Sequence, residues 1–275
     1  MFSRRFWLYT LVSLLFTVSV GVIAPLPSHG QSWVELLFRG VQVLQLSNIS
    51  DRQEVALGQQ INQGLIGQRK IAISRDAEIN RYLNEIGQRL ARSSARPEIP
   101  YTFQVVRDNS VNAFATMGGF VYIHTGLMKT AANEAELASV IAHEIAHIAG
   151  RHAIERMRNT AISRGLLSAA GLNARAWAQI GLGLAYDLPN SRQDELEADR
   201  LGLENLTAAG YAPEAMVSFM EKLGRKGGSP PAILSTHPAT GDRVTRLRFA
   251  INEIGKKGGN GLDSAYYRSR IRSLS

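Results

Sequence analysis

Of the six histidines in this 275-residue chain, two stand four positions apart with a glutamate directly after the first: His143-Glu144-Ile145-Ala146-His147. On a helix, positions i and i+4 share a face with Cβ atoms about 5–6 Å apart. Two imidazoles so spaced can bind one zinc ion at Zn–N distances of about 2.0–2.1 Å. Glu144 is turned about 100° from His143 around the helix axis. It cannot easily join the ligands, but it can reach a water on the metal and act as general base. The pattern is H-E-x-x-H, with two ligands and a base.

Two histidines leave a tetrahedral site one protein ligand short. One known pattern takes a histidine six residues after the second. That position is Ala153, and His152 falls one residue early, off the required face. The better source is the segment Ser191 to Gly202. Glu195 and Asp199 are i and i+4 there, on one helical face. Glu195 can ligate the metal, and Asp199 can accept a hydrogen bond from the free N–H of a ligating histidine. Glu197, two residues from Glu195, is expected to point to the opposite side. The bland alternative for this segment is a solvated acidic face.

The elements that must hold these groups read as follows. Asn133 caps a helix over 133–156, with Glu136 three residues on. Leu137, Val140, Ile141, Ile145 and Ile148 supply its apolar stripe. Helices are also expected over 51–65, from a Ser74 cap through Leu90, and over 191–208, 213–224 and about 239–254. Pro97 and Pro100 end the second of these. Tyr101 to Val106 alternates and is rich in β-formers, so it reads as a strand, as does Phe120 to His124. The two are expected to form a small sheet beside the metal helix, giving an α+β, mainly helical fold. The Gly- and Ala-rich stretch 165–186 reads as a buried or lid-like helical pair. Asn173, Arg175 and Gln179 argue against a membrane span. The loop Tyr186 to Asn190 is expected near the metal.

The chain resembles the zinc metalloendopeptidase family that includes the CAAX prenyl endopeptidases, the heat-shock protease HtpX and the periplasmic barrel-assembly protease. The likeness rests on Asn112-Ala113-Phe114-Ala115, Gly118 to Tyr122, Thr125-Gly126-Leu127, Glu136-Leu137-Ala138, the His143–His147 core, His152, the Ser191–Gly202 segment, Thr236-His237-Pro238 and Arg243. These run in family order over roughly residues 51–250. The resemblance implies a zincin-like fold, one Zn2+ per chain on His143, His147 and Glu195, and Glu144 as base. It also implies that His237 can approach the metal and hold the enzyme closed. The barrel-assembly protease carries a helical-repeat domain after its catalytic part; none is expected here, so its partners are not carried over.

The expected chemistry is metal-assisted peptide hydrolysis. A tetrahedral oxyanion needs a donor besides zinc, and His237 and then Arg243 are the candidates. Gly118-Gly119 followed by the strand from Phe120 is expected to offer an edge to an extended peptide. Asn112 and Ala113 are expected to line the same groove. His124 reads as a strand end, and His152 as bonded within the helix end.

Composition bounds the reading. Hydrophobic content is 45% and charged content 20%, ordinary for a globular domain. There is no cysteine, which excludes disulfides and a lipoprotein anchor. Arg4 and Arg5 precede an apolar run from Phe6 to Ala24, so residues 1–30 read as a signal peptide or an N-terminal membrane anchor. Residues 31–50 read as a linker, 51–255 as the zinc metallopeptidase domain, and 256–275 as a basic tail, solvated or membrane-facing. The net charge is +8, but no nucleic-acid signature accompanies it, so nucleic acid is not an expected partner. The expected setting is exported, periplasmic or membrane-associated, with polypeptide substrates. A chaperone-like, zinc-stabilised binding module of the envelope is the competing reading; Glu144 weighs against it. No G-x-S-x-G elbow is present, which sets aside an esterase or lipase.

Overall fold

The computed structural model describes residues 49–163, 174–187, 189–225, 230–238, 241–255 and 257–274. The leader or anchor expected over 1–30 lies outside the described residues, as does the linker up to residue 48.

Three strands form one sheet: β1 (Thr102–Val106), β2 (Ala113–Thr116) and β3 (Phe120–His124), in the order β1-β3-β2. β1 runs parallel to β3, with Phe103 opposite Val121, and β2 runs antiparallel to it, with Ala115 opposite Val121. β3 is therefore the central strand. Val121 and Ile123 enter one hydrophobic cluster, Phe120 and Tyr122 the other. This corrects the sequence reading, which put the free edge at Phe120 to His124; on that side of the sheet the edge is β2. The four residues Ala-Phe-Ala-Thr were too short and too alanine-rich to announce a strand. Gly118, at φ 74°, makes the turn between β2 and β3, and a Cβ there would lie 2.8 Å from the Glu54 carbonyl oxygen.

Helices wrap this sheet. α1 (Asp51–Gly67) starts in a capping box of Ser50 and Gln53. α2 (Ala77–Arg92) buries Ile79, Tyr82, Leu83, Ile86 and Leu90, as its pattern requires. Its cap is Asp76, whose carboxylate accepts from the Glu78 and Ile79 amides. Ser74, the expected cap, accepts instead from the Asp76 amide. A short α3 (Thr125–Thr130) leads to α4 (Glu134–Ala149), which Asn133 caps by accepting from the Glu136 amide. Every residue of α4 from Ala135 to Ile148 is buried, so this helix lies in the core with no face to solvent. The expected single helix over 133–156 is broken: Gly150 ends α4, Arg151 turns at φ 57°, and α5 (His152–Ser163) begins.

α6 (Ala174–Asp187) buries Ala178, Leu182 and Leu184. It supplies one member of the helical pair expected over 165–186; residues 164–173 lie outside the described residues. Among the described residues no helix is long and apolar enough to cross a membrane. α7 (Arg192–Ala208), α8 (Glu214–Arg225), α9 (Ile233–Thr236), α10 (Gly241–Ile254) and α11 (Ser264–Arg270) complete the order. The last of these corrects the expected free tail. Tyr267 is fully buried, its hydroxyl donates to the Met128 carbonyl at 2.7 Å, and Ile271 joins the core. The packed unit therefore runs past residue 255.

Candidate metal centre

α4 brings His143 and His147 onto one face, with ring centroids 4.7 Å apart and planes at 83°. α7 lies against α4. Its Gly202 makes the approach close: a Cβ there would sit 3.2 Å from the His143 backbone. Ser191 caps α7 in a capping box with Asp194. Glu195 follows in the first turn, where the positive end of the helix dipole favours a carboxylate. Glu195 and Asp199 then face α4. Thr236, at the end of α9, delivers His237.

Four ligand atoms, one each from His143, His147, Glu195 and His237, lie within 4.8 Å of one another, and all four residues are buried. The separations decide whether an ion fits. A tetrahedron with bonds of about 2.0–2.1 Å has ligand–ligand edges of about 3.3–3.4 Å. The observed edges are 3.1 Å between the two Nε2 atoms, and 3.5 and 3.4 Å from these to the Glu195 oxygens. His237 Nδ1 takes the remaining vertex, 3.3 Å from His143 Nε2 and 2.9 Å from Glu195 Oε1. The tautomers agree. His143 Nδ1 faces Asp199 Oδ1 at 3.2 Å, so the proton stays on that nitrogen when Nε2 gives its lone pair to a metal. His147 Nδ1 faces His152 Nδ1 at 2.8 Å. With its proton on Nδ1, its Nε2 is free in the same way.

The electrostatics follow this geometry. Burial alone would raise the Glu195 carboxyl, but its contacts with the His143, His147 and His237 rings hold it far below the usual range in the metal-free centre. Asp199 is likewise buried, and is kept ionised by Arg243 and His143. Burial opposes charge on His143 too, but the Asp199 and Glu195 carboxylates outweigh it and lift its pKa to about 9. For His147 burial prevails, with His143 and His237 adding repulsion, and its pKa falls well below the ordinary value.

Several expected residues take other positions. Arg243 was expected near the reacting carbonyl. It instead grips both Asp199 oxygens at 2.7 Å, Glu195 Oε2 at 2.6 Å and the Pro238 carbonyl at 2.9 Å. Three of these contacts are hydrogen bonds, two to Asp199 and one to Pro238, and the Glu195 contact is an ion pair, so its place is behind the ligands. Gly118, Gly119 and Phe120 are buried in the β2–β3 turn and the core, and do not line the cleft. Ala113 is wholly buried on β2, and the Asn112 carboxamide accepts from the Ala113 amide. His152 does not bond within the helix end but to the ligand His147. Glu197 approaches His152 Nε2 at 3.5 Å, on a side the sequence did not suggest. His124 ends β3 as expected and bonds Ser110.

A narrow cleft opens beside the four-residue cluster, lined by Phe114 to Met117, Glu144, His147, Asn190 and His237, among others. A second adjoins His143 and His237 and has an apolar wall from Val140, Met216, Phe219, Leu223 and Ile233. His237 borders both. Glu144 is almost wholly buried, with Oε1 3.5 Å from His237 Nε2. Asn190 was read only as part of a loop near the metal. Its amide donates to Glu195 Oε1 at 2.7 Å and lies 3.2 Å from His237 Nδ1. Its position directly before the Ser191 cap was the one signal available.

A buried His, His, Glu set with a glutamate beside the first histidine, on a mainly helical frame with a small sheet, defines a zinc metallopeptidase centre. The model of the family described as Peptidase family M48 matches residues 77–251, and the chain belongs to that family. It is similar to the beta-barrel assembly-enhancing protease of Escherichia coli K12, 34% identical over 224 residues, covering 76% of this chain and 46% of that protein. The protein of the same name from Yersinia pestis is 35% identical over 196 residues, covering 65% and 40%. The mitochondrial metalloendopeptidase OMA1 of Schizosaccharomyces pombe is 29% identical over 182 residues, covering 64% and 54%. The chain thus spans about half the length of these curated relatives, or less.

Proposed function

We propose that this chain is a zinc-dependent endopeptidase of the cell envelope that hydrolyses peptide bonds in unfolded or misassembled proteins. The observation that carries the reading is the convergence of His143, His147, Glu195 and His237 within 4.8 Å, with Glu144 adjoining. His143, His147 and Glu195 hold the ion. When bound, zinc polarises the scissile carbonyl and acidifies water, to a pKa of about 7. Glu144 takes a proton from the attacking water as the water oxygen bonds to the carbonyl carbon. The carbonyl π pair moves onto oxygen, giving a tetrahedral oxyanion. When that pair returns, the C–N bond breaks with its electrons on nitrogen, which receives the proton from Glu144. Asp199 and Arg243 fix the orientation of His143 and Glu195.

His237 at the remaining vertex describes a closed state, from which it must withdraw to admit substrate. An extended polypeptide then lies along β2, the edge strand beside the cleft. Asn112 and Ala113 stand at the start of that strand. Edge pairing uses backbone hydrogen bonds, which suits substrates selected by exposure rather than by sequence. The apolar wall of the second cleft suits a large apolar side chain next to the scissile bond. Arg4, Arg5 and the apolar run to Ala24 support export with the N-terminal segment as signal or anchor.

Zinc analysis and cleavage of unfolded casein, on wild type and Glu144→Gln, test this reading. The expected result is one zinc per chain in both and a loss of about 10²–10⁴-fold in cleavage by the variant. Equal cleavage by both proteins would remove Glu144 as the base.

A further inference from the structure

The carboxamide of Asn190 sits where an oxyanion donor would be needed. Its orientation is fixed by chemistry. The atom 2.7 Å from Glu195 Oε1 faces a carboxylate oxygen held ionised, which only accepts, so that atom is the donor Nδ2. The same Nδ2 lies 3.2 Å from His237 Nδ1 and 3.4 Å from His147 Nε2. His237 Nδ1 occupies the fourth vertex of the ligand set, 3.3 Å from His143 Nε2. It therefore stands in for the oxygen that takes this vertex once His237 withdraws. Nδ2 has two hydrogens; one is engaged by Glu195, and the other reaches that vertex.

The backbone holds the group in place. The Asn190 amide donates to the Thr236 carbonyl at 3.0 Å, and the next residue, Ser191, is the cap of the helix that carries Glu195. The residue is buried, so its hydrogen bond acts where water competes little. Arg243, by contrast, is engaged behind the ligands, and His237 must leave the vertex for substrate to enter. Neither supplies a donor at that point.

We propose that Asn190 is a further catalytic residue: its Nδ2–H donates to the oxygen on which negative charge develops during peptide hydrolysis. The bonds made and broken are those already described, and Asn190 itself gains and loses nothing. In the closed state the same N–H bears on His237.

This inference rests on the endopeptidase reading, and the test separates the two. Asn190→Ala and the near-isosteric Asn190→Leu are compared with wild type, so that one misfolded variant leaves the other to decide. Three quantities are measured: zinc content, kcat and KM on a quenched peptide, and calorimetric affinity for a phosphonamidate peptide whose P–O⁻ mimics the tetrahedral adduct. The expected result is unchanged zinc content, kcat lower by about 10²-fold with KM changed by less than about threefold, and phosphonamidate affinity weakened in step with kcat/KM. A kcat within threefold of wild type, a rise in kcat, or an activity loss that tracks zinc loss overturns the proposal. If wild type binds zinc but cleaves nothing, the endopeptidase reading fails. Phosphonamidate affinity then decides for or against Asn190 alone.

Discussion

Arg243 is the group whose removal should be felt furthest through the centre. Its side chain is 4% exposed and bridges Asp199, 6% exposed, and Glu195, 3% exposed. Replacing it with methionine keeps much of the volume but strips the paired donors from Asp199 and the cationic partner from Glu195. Breaking a buried pair by removing one partner costs about 3–5 kcal/mol, because the remaining charge is stranded. For a domain of this size each kcal/mol moves Tm by about 2–4 °C. The metal-free Arg243→Met protein should therefore melt about 6–20 °C below wild type. Zinc neutralises Glu195 directly, so the gap should narrow when the ion is present. The zinc affinity itself should fall by about 10–100-fold, as expected when a partner that orients a ligand is lost. Asp199→Asn alone should also destabilise. The double variant should be less destabilised than the two single losses summed, because the pair forms one network. Scanning calorimetry with and without a chelator measures all four proteins. Additive losses, or a metal-free Tm within 2 °C of wild type, would refute the view that this ion pair holds the ligands in place.

The acid limb of stability should carry the same signature. Burial opposes ionisation of Asp199, but Arg243 and His143 prevail and depress its pKa. The folded carboxyl thus binds fewer protons than the unfolded one, whose pKa is about 3.9. Its contribution is complete above about pH 5 and is lost as pH falls through the folded value. Metal-free Tm should drop across that range, and Asp199→Asn should flatten the drop; parallel curves would count against it. His152→Phe removes the acceptor of the His147 Nδ1 proton and should weaken zinc binding by about 10–100-fold in a chelator competition; unchanged affinity would reassign His152 to packing. Tyr267→Phe loses the hydrogen bond to the Met128 carbonyl and should cost about 1 kcal/mol, or about 2–4 °C in Tm. No shift would mean that α11 adds little to the core.

The convergence of His143, His147 and Glu195 was legible because it is written in helical periodicity. His143 with His147, and Glu195 with Asp199, each need only the i, i+4 rule, and the Asn133 cap marks where the first of the two helices begins. The stripe of α2 was equally plain. What escaped depends on tertiary approach. Whether Arg243 faces substrate or the carboxylates is decided by how α10 lies against α7, which no local pattern records. His152 is adjacent to the motif in sequence, but it reaches His147 only because Arg151 reverses the chain at positive φ. The order β1-β3-β2 follows from a parallel pairing between segments that are not neighbours, so the wrong strand was expected at the edge. Asn190 carries no motif at all; its function comes from the point to which the cap of α7 fixes it.

Under the docking proposed on β2, the pairing of β2 with β3 would also act as a ruler for cleavage. β3 is locked in frame by side chains on both faces, with Val121 and Ile123 on one and Phe120 and Tyr122 on the other. The Tyr122 hydroxyl is further pinned to Asn62 at 2.9 Å. β2 takes its offset from β3, with Thr116 opposite Phe120. One step along a strand is about 3.4 Å, close to the spacing between successive peptide bonds in an extended chain. An insertion or deletion that moved β2 one step would carry a docked polypeptide with it and present the neighbouring bond to Glu144. Under that docking, the cut site on a given substrate would be set partly by residues that never touch it.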